Sequence, residues 1–281
     1  MATAHNHDCE IYYESFGIPS APTLLLVNGL GSQCIMYHED WCEMFVRRGL
    51  RVVRFDNRDV GLSTKFDDTP AAEAAYKVSD MAADAIAVLD AVGVDRAHVM
   101  GLSMGGMIVQ VMAIEHPDRL SSMTSVMSNT GERDYGAPTP EAFALLTAPP
   151  ATDRDSYIDR HIKGLRVWGS PAFAEEDRWR RDAERAFDRC FHPAGQVRQY
   201  RGILASPPRA DHLRDVRTPT LVMHGDRDTL IDISGGRRTA ELIPGARFEV
   251  MEGMGHDYPP QLWDRWVDLV SSFVASTAAA A

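Results

Sequence analysis

A chain of 281 residues with 44% hydrophobic and 25% charged residues has the balance of a globular protein, and the length to bury a full core without disulfide or metal staples. Its formal net charge of −11 argues against nucleic acid or an anionic membrane surface as a partner, and no apolar run approaches the ~18 residues that span a bilayer. The four cysteines, Cys9, Cys34, Cys42 and Cys190, show no C-x-x-C spacing, and no basic segment followed by an apolar core opens the chain, so a reduced, cytoplasmic protein without metal or cofactor is expected.

The first residues, His5-Asn6-His7-Asp8-Cys9, contain metal-ligand residue types, but at a chain end they read as a polar leader. Residues 23–27 form a short continuous apolar run, the signature of a buried strand. A helix is expected over 39–48, closed by Gly49, and a second buried strand over 51–55. Residues 79–92 carry an apolar stripe of Met81, Ala85, Val88, Leu89 and Val92, with Ser79 as the expected cap. A strand over 97–100, an apolar helix over 104–114 stopped by His116-Pro117, and a strand over 120–127 follow. Such alternation implies an α/β fold: a mostly parallel central sheet with helices on both faces.

The rhythm changes near residue 133. From there to 215 no good strand occurs, and proline clusters separate helical stretches rich in Arg, Asp and Glu, the clearest at 178–190. Alternation resumes with a strand at 219–223, a helix near 236–243, a strand at 246–250 and an amphipathic helix over 263–273. The core is therefore expected in two pieces, 1–132 and 216–281, interrupted by a helical cap at 133–215. Ser276-Thr277 and the alanines after them read as a frayed tail. Monomer and homodimer are both compatible with this pattern.

The chemistry concentrates at Gly101-Leu102-Ser103-Met104-Gly105, where a strand passes into a helix. The spacing G-x-S-x-G describes a tight turn that exposes a serine hydroxyl beside free backbone N–H groups. A serine is a poor nucleophile until a base takes its proton, and the base needs a third group to orient it. Of ten histidines, His256 in Gly253-Met254-Gly255-His256-Asp257 is the best placed. It follows the last strand, at the sheet edge where sites gather in open α/β folds. The acid should come from the loop after 219–223, where Asp226 and Asp228 compete, and spacing alone does not choose between them. An oxyanion hole needs two amide donors. The N–H of Met104 follows from the elbow, and Leu30 in Asn28-Gly29-Leu30-Gly31-Ser32 is the expected second donor, with Gly31 as alternate.

Five ordered motifs give the chain a family likeness: Leu25-Leu26-Val27-Asn28-Gly29-Leu30-Gly31, Arg54-Phe55-Asp56-Asn57-Arg58-Asp59-Val60-Gly61-Leu62-Ser63, Gly101-Leu102-Ser103-Met104-Gly105-Gly106, His224-Gly225-Asp226-Arg227-Asp228 and Gly253-Met254-Gly255-His256. Over nearly its whole length the chain resembles the α/β-hydrolase superfamily, of the capped serine carboxylesterase and lipase type, and is similar to the aclacinomycin methyl esterase group. That resemblance implies Asp228, three residues after the glycine of its motif, as the acid, and leaves Asp226 aside. Two positions depart from the family pattern: Asn28 stands where many relatives have His, and Asp59 where many have Gly.

The expected function is cleavage of a small-molecule carboxylic ester by Ser103, His256 and Asp228, with Leu30 and Met104 binding the oxyanion. Gly31, Met36, Met127, Trp168, Trp179 and Phe187 are the expected pocket residues. A lactone, thioester, peracid or carbon–carbon substrate on the same triad is the alternative. A non-catalytic binding protein is disfavoured because all three triad residues are present.

Overall fold

In the computed structural model, residues 2–68 and 75–278 are described. The buried apolar runs become the middle of one eight-stranded sheet. Its strands are β1 (Ala2–Asn6), β2 (Cys9–Phe16), β3 (Thr23–Val27), β4 (Arg51–Phe55), β5 (Ala97–Leu102), β6 (Leu120–Val126), β7 (Thr220–Gly225) and β8 (Arg247–Met251), in the order β1-β2-β4-β3-β5-β6-β7-β8. From β4 to β8 every neighbour is parallel, while β1 and β2 pair antiparallel with each other and β2 pairs antiparallel with β4.

β3, β4, β5 and β7 are buried at every residue, as expected where helices cover both faces of a parallel sheet. Alternation sorts their side chains between two cores. Leu25, Val27, Val53, Phe55 and Val99 join Met81, Val88, Ile108 and Met112 on one face. These last four lie on α2 (Val78–Ala91) and α3 (Met104–Glu115). Leu24, Leu26, Val52, Met100 and Leu102 join Trp41, Phe45, Trp266 and Val270 on the other, carried by α1 (Glu39–Arg47) and α10 (Trp263–Ala278). Trp41 is fully buried and meets Tyr37, Phe45 and Trp266 with ring centroids 5.5, 5.0 and 6.0 Å away.

Three local expectations need correction. The supposed polar leader is the β1–β2 hairpin: Ala4, Cys9 and Ile11 are buried, His7 takes φ 52° at the turn, and Asn6 Nδ2 donates to Asp84 Oδ1 at 2.8 Å. The second helix starts at Val78, so Ser79 lies inside it. Its entry is fixed instead by the Asp80 carboxylate accepting the Lys77 N–H at 2.7 Å, and by Ser206 Oγ accepting the Val78 N–H at 2.9 Å. At the C-terminal end, Ser276 and Thr277 continue α10 rather than fraying, their hydroxyls donating to the carbonyls of Phe273 and Val274. The last three residues lie outside the described residues.

Between β6 and β7 the chain makes α4 (Pro140–Leu146), α5 (Arg154–Trp168), α6 (Glu176–Arg189), α7 (Pro193–Ala205) and α8 (Ala210–Leu213). Ile158 and Ile162 of α5 pack on Trp179 and Ala183 of α6. Gln33 Nε2 donates to the carbonyls of Ala186 and Cys190, and Arg189 and Arg198 reach Asp56 and Asp59 at 2.8 Å each. The helices therefore join the loops after β3 and β4 through buried polar contacts.

Candidate active site

The elbow is built by what cannot fit there. Ser103 sits between β5 and α3 with φ 57° and ψ −118°, a strained conformation for a residue with a side chain. A Cβ on Gly101 would lie 2.0 Å from the Gly105 carbonyl oxygen, and one on Gly105 would lie 2.0 Å from that of Val27. Only glycine permits the helix to start this close to the sheet. The Ser103 N–H donates to the Val126 carbonyl at 2.9 Å, tying the turn to β6. Met104 opens α3, so its N–H has no carbonyl partner within the helix.

His256 follows β8, and Asp228 follows β7. His256 Nδ1 and Asp228 Oδ2 are 2.7 Å apart. Because the partner is a carboxylate, Nδ1 carries the proton and Nε2 of the neutral ring is left with a free lone pair. The other Asp228 oxygen accepts the N–H groups of Leu230 and Ile231 at 2.9 and 2.8 Å. Burial drives the Asp228 carboxyl up, but His256 and the hydrogen bonds of His224 and His256 outweigh it and hold the group at about 2. The carboxylate is therefore ionised throughout the neutral range. Asp226 is exposed and its Oδ1 accepts the Gly253 N–H at 2.7 Å, so it braces the loop that carries His256 without touching the ring. His224 Nε2 lies 2.8 Å from the Ile231 carbonyl oxygen and 3.3 Å from Asp228 Oδ2, so its N–H is shared between the two acceptors. Asp257 is pinned by the Ser170 N–H at 3.1 Å and by the Ser170 hydroxyl.

The loop after β3 lies against the elbow: a Cβ on Gly29 would be 3.3 Å from both Leu102 O and Ser103 Cβ. Asn28 donates from Nδ2 to the Gln33 carbonyl at 3.1 Å and closes the loop on itself. Asn57 Nδ2 donates to the Asn28 carbonyl at 3.0 Å. Gly31, at φ 68°, gives its N–H to Gln199 Oε1 at 2.8 Å. That amide is therefore occupied.

Ser103, His256, Leu30 and Met104 line one cavity of about 570 Å³ between the strand ends and helices α4 to α7. Gly31, Met36, Met127, Trp168 and Trp179 line it too, as does Phe173. Phe187 does not. Its ring packs on Tyr157 and Phe191, at 5.7 and 4.6 Å between centroids, inside the helical layer. Phe143 and Leu204, 49% and 59% exposed, give the cavity an apolar rim.

Residues 22–258 match the family described as alpha/beta hydrolase fold. The chain belongs to that family. It is 30% identical over 279 residues to the rhodomycin D methylesterase DnrP of Streptomyces peucetius, covering 90% of this chain and 91% of the relative. It is 28% identical over 277 residues to the rhodomycin D methylesterase DauP of Streptomyces sp. (strain C5), covering 89% of each. Among solved structures it is similar to Est816, described as an N-acyl homoserine lactone degrading enzyme, with 26% identity, a TM-score of 0.75, and 96% and 99% of the two chains covered.

This alpha/beta hydrolase carries site residues that its motifs do not announce. Gln199 contacts the loop after β3 and Ser170 the loop that carries His256, both from the helices between β6 and β7, far from any motif. His38, His161 and Asp182 form a polar corner of an otherwise mainly apolar cavity, with His38 Nε2 3.3 Å from Asp182 Oδ2. No sequence spacing joins positions 38, 161 and 182; only packing does. Among the described residues, no helix is long and apolar enough to cross a membrane.

Proposed function

We propose that this hydrolase cleaves a carboxylic ester through an acyl-enzyme on Ser103. The observation that carries the reading is the 2.7 Å contact between His256 Nδ1 and Asp228 Oδ2, beside a strained serine that opens onto the same cavity. In this reading Ser103 Oγ attacks the acyl carbon as its proton passes to His256 Nε2. Ionised Asp228 orients the imidazole and stabilises its charge. The N–H groups of Leu30 and Met104 receive the oxyanion. The acyl carbon–oxygen bond then breaks, and His256 protonates the departing alcohol. Water enters, loses a proton to His256, attacks the acyl carbon, and releases the acid and the free serine. Residues 133–215 serve as the cap that walls the site from solvent.

The two methylesterase relatives favour a methyl ester, the ester of a small alcohol. A cavity of about 570 Å³ whose lining is mostly apolar suits a bulky apolar acid on the other side of the ester bond. The likeness to Est816 favours a lactone as the second reading, since ring opening uses the same steps with the alcohol tethered. The deciding experiment compares wild type and Ser103→Ala on methyl, butyl and p-nitrophenyl esters and on an acyl lactone. Turnover should vanish with the serine while the circular dichroism spectrum stays unchanged, and retained turnover overturns the acyl-enzyme. A methyl ester of a polycyclic acid should outrun its butyl ester. The opposite order removes the small-alcohol preference.

A further inference from the structure

We propose that Gln199, on α7 of the helical segment, is a positioning residue for the oxyanion loop. The proposal rests on the acyl-enzyme reading and adds a part to it that no motif contains. Gln199 is fully buried, and both ends of its amide are engaged. Oε1 accepts the Gly31 N–H at 2.8 Å, and Nε2 donates to the Arg58 carbonyl at 2.7 Å. The amide is held from both sides. Arg58 grips Asp84 through Nε and Nη2 at 2.6 and 2.7 Å. Arg198, next to Gln199, grips Asp59 through Nε and Nη2 at 2.9 and 2.8 Å. α7 also lies directly on the loop after β4, since a Cβ on Gly195 would be 2.0 Å from the Asp59 carbonyl oxygen.

The turn that Gln199 touches is the one that carries Leu30. The Ser32 N–H donates to the Gly29 carbonyl at 3.3 Å, closing a four-residue turn with Leu30 and Gly31 at its centre. Gly31 at φ 68° is the mark of a type II turn. In a trans peptide the N–H points opposite to the C=O, so the Leu30 N–H points away from the turn's own hydrogen bond and remains free to donate. The central Leu30–Gly31 peptide is the weak point. Glycine at the third position accepts either sign of φ, so this peptide can flip to the type I form. A flip would turn the Gly31 N–H away from α7 and set the Leu30 carbonyl toward it. Gln199 Oε1 accepts only from the unflipped form. The side chain therefore holds the turn in one form and anchors it to α7; a turn that does not move keeps its Leu30 N–H in place beside the elbow, and preorganised donors are what make an oxyanion hole effective.

The test measures hydrolysis of a p-nitrophenyl oxoester and its thionoester by wild type, Gln199→Leu and Gln199→Glu, with Ser103→Ala as control. A thiocarbonyl sulfur is the weaker hydrogen-bond acceptor, so the oxoester preference reports on the donors. Gln199→Leu should lose about 10- to 100-fold in kcat with little change in KM, and its oxoester preference should shrink. Gln199→Glu keeps an oxygen opposite the Gly31 N–H in either protonation state and should regain most of that preference. If the leucine variant does not fold, Gln199→Met fills the same space without an amide and supplies the same comparison. A variant without the amide that keeps the wild-type oxoester preference overturns the positioning role, even if its Tm drops. Turnover by Ser103→Ala would instead overturn the acyl-enzyme reading, so the two failures are distinguishable.

Discussion

Two aspartates only two positions apart have opposite surroundings, and chemistry follows the surroundings. Asp228 is buried and shares its oxygens between the His256 ring and two backbone N–H groups. Asp226 is exposed and serves the Gly253 N–H. Asp228→Asn should lower kcat by about 10³- to 10⁴-fold, because an amide cannot hold the Nδ1-protonated ring as a carboxylate does. Asp226→Asn keeps the acceptor oxygen and should stay within about tenfold of wild type. Steady-state rates on one ester decide this, and the reverse ranking removes Asp228 as the acid. The pH profile supplies a second check. With the Asp228 carboxyl held at about 2, acidification from pH 7 to pH 5 leaves it ionised. A loss of kcat/KM in that interval therefore does not come from protonating Asp228, and a profile that follows the Asp228 carboxyl there would show that its ionisation is not held as described.

The helices between β6 and β7 are tied to the loop after β4 by elements that each look unremarkable alone. The loop after β4 holds Asp59 at φ 69°, where glycine would be unstrained, yet a fully buried carboxylate stands there. Burial raises its carboxyl, but the Arg198 hydrogen bonds, with those of Phe66 and Tyr76, pull it below the usual carboxylate range. Two effects therefore oppose each other in Asp59→Gly. Removing a left-handed side chain relieves roughly 1–2 kcal/mol of strain. Deleting one member of a buried ion pair costs about 3–5 kcal/mol. The second is larger, so Asp59→Gly should destabilise by about 1–4 kcal/mol and lower the urea midpoint; a midpoint raised by the change would show that the pair contributes less than the strain. This also marks what a sequence can carry. β3 to β5 are legible because parallel strands buried on both faces read as continuous apolar runs, and the elbow because its glycines are dictated by backbone collisions. β1 and β2 are not, because Ala4, Cys9 and Ile11 are too few to stand out among polar neighbours at a chain end. The apolar face of α6 is legible, but its target is not, which is why Phe187 meets Tyr157 instead of the cavity. The hydrogen bond from Gly31 to Gln199 spans 168 positions and leaves no local signal at either end.

Across the whole molecule, buried histidines and the buried Asp228 carboxylate link stability to pH in different ranges. His98, in the middle of the sheet on β5, hydrogen-bonds Ser122 Oγ at 2.8 Å and is nearly buried. Burial, with Arg96 adding to it, pushes its ring down to about 4. Burial likewise lowers His161 and His192, although nearby Asp182 acts the other way on His161, and Asp67 and Asp59 on His192. The sign follows from proton counting. Between the unfolded value of ~6.5 and the folded value near 4, the unfolded chain binds a proton that the folded chain refuses. Stability therefore falls as pH falls through that window and levels off below it, and the His98 share is at most about 3 kcal/mol. The Asp228 share lies lower: it is fully present above the unfolded carboxylate value of ~3.9 and is lost as pH falls toward 2. The two contributions occupy separate ranges and can be read separately. His98→Gln keeps a polar group beside Ser122 and removes the titration, so its urea stability should decline less than the wild type's between pH 6.5 and pH 4. Parallel curves for the two proteins would mean that the folded chain lets His98 take its proton as readily as the unfolded chain does.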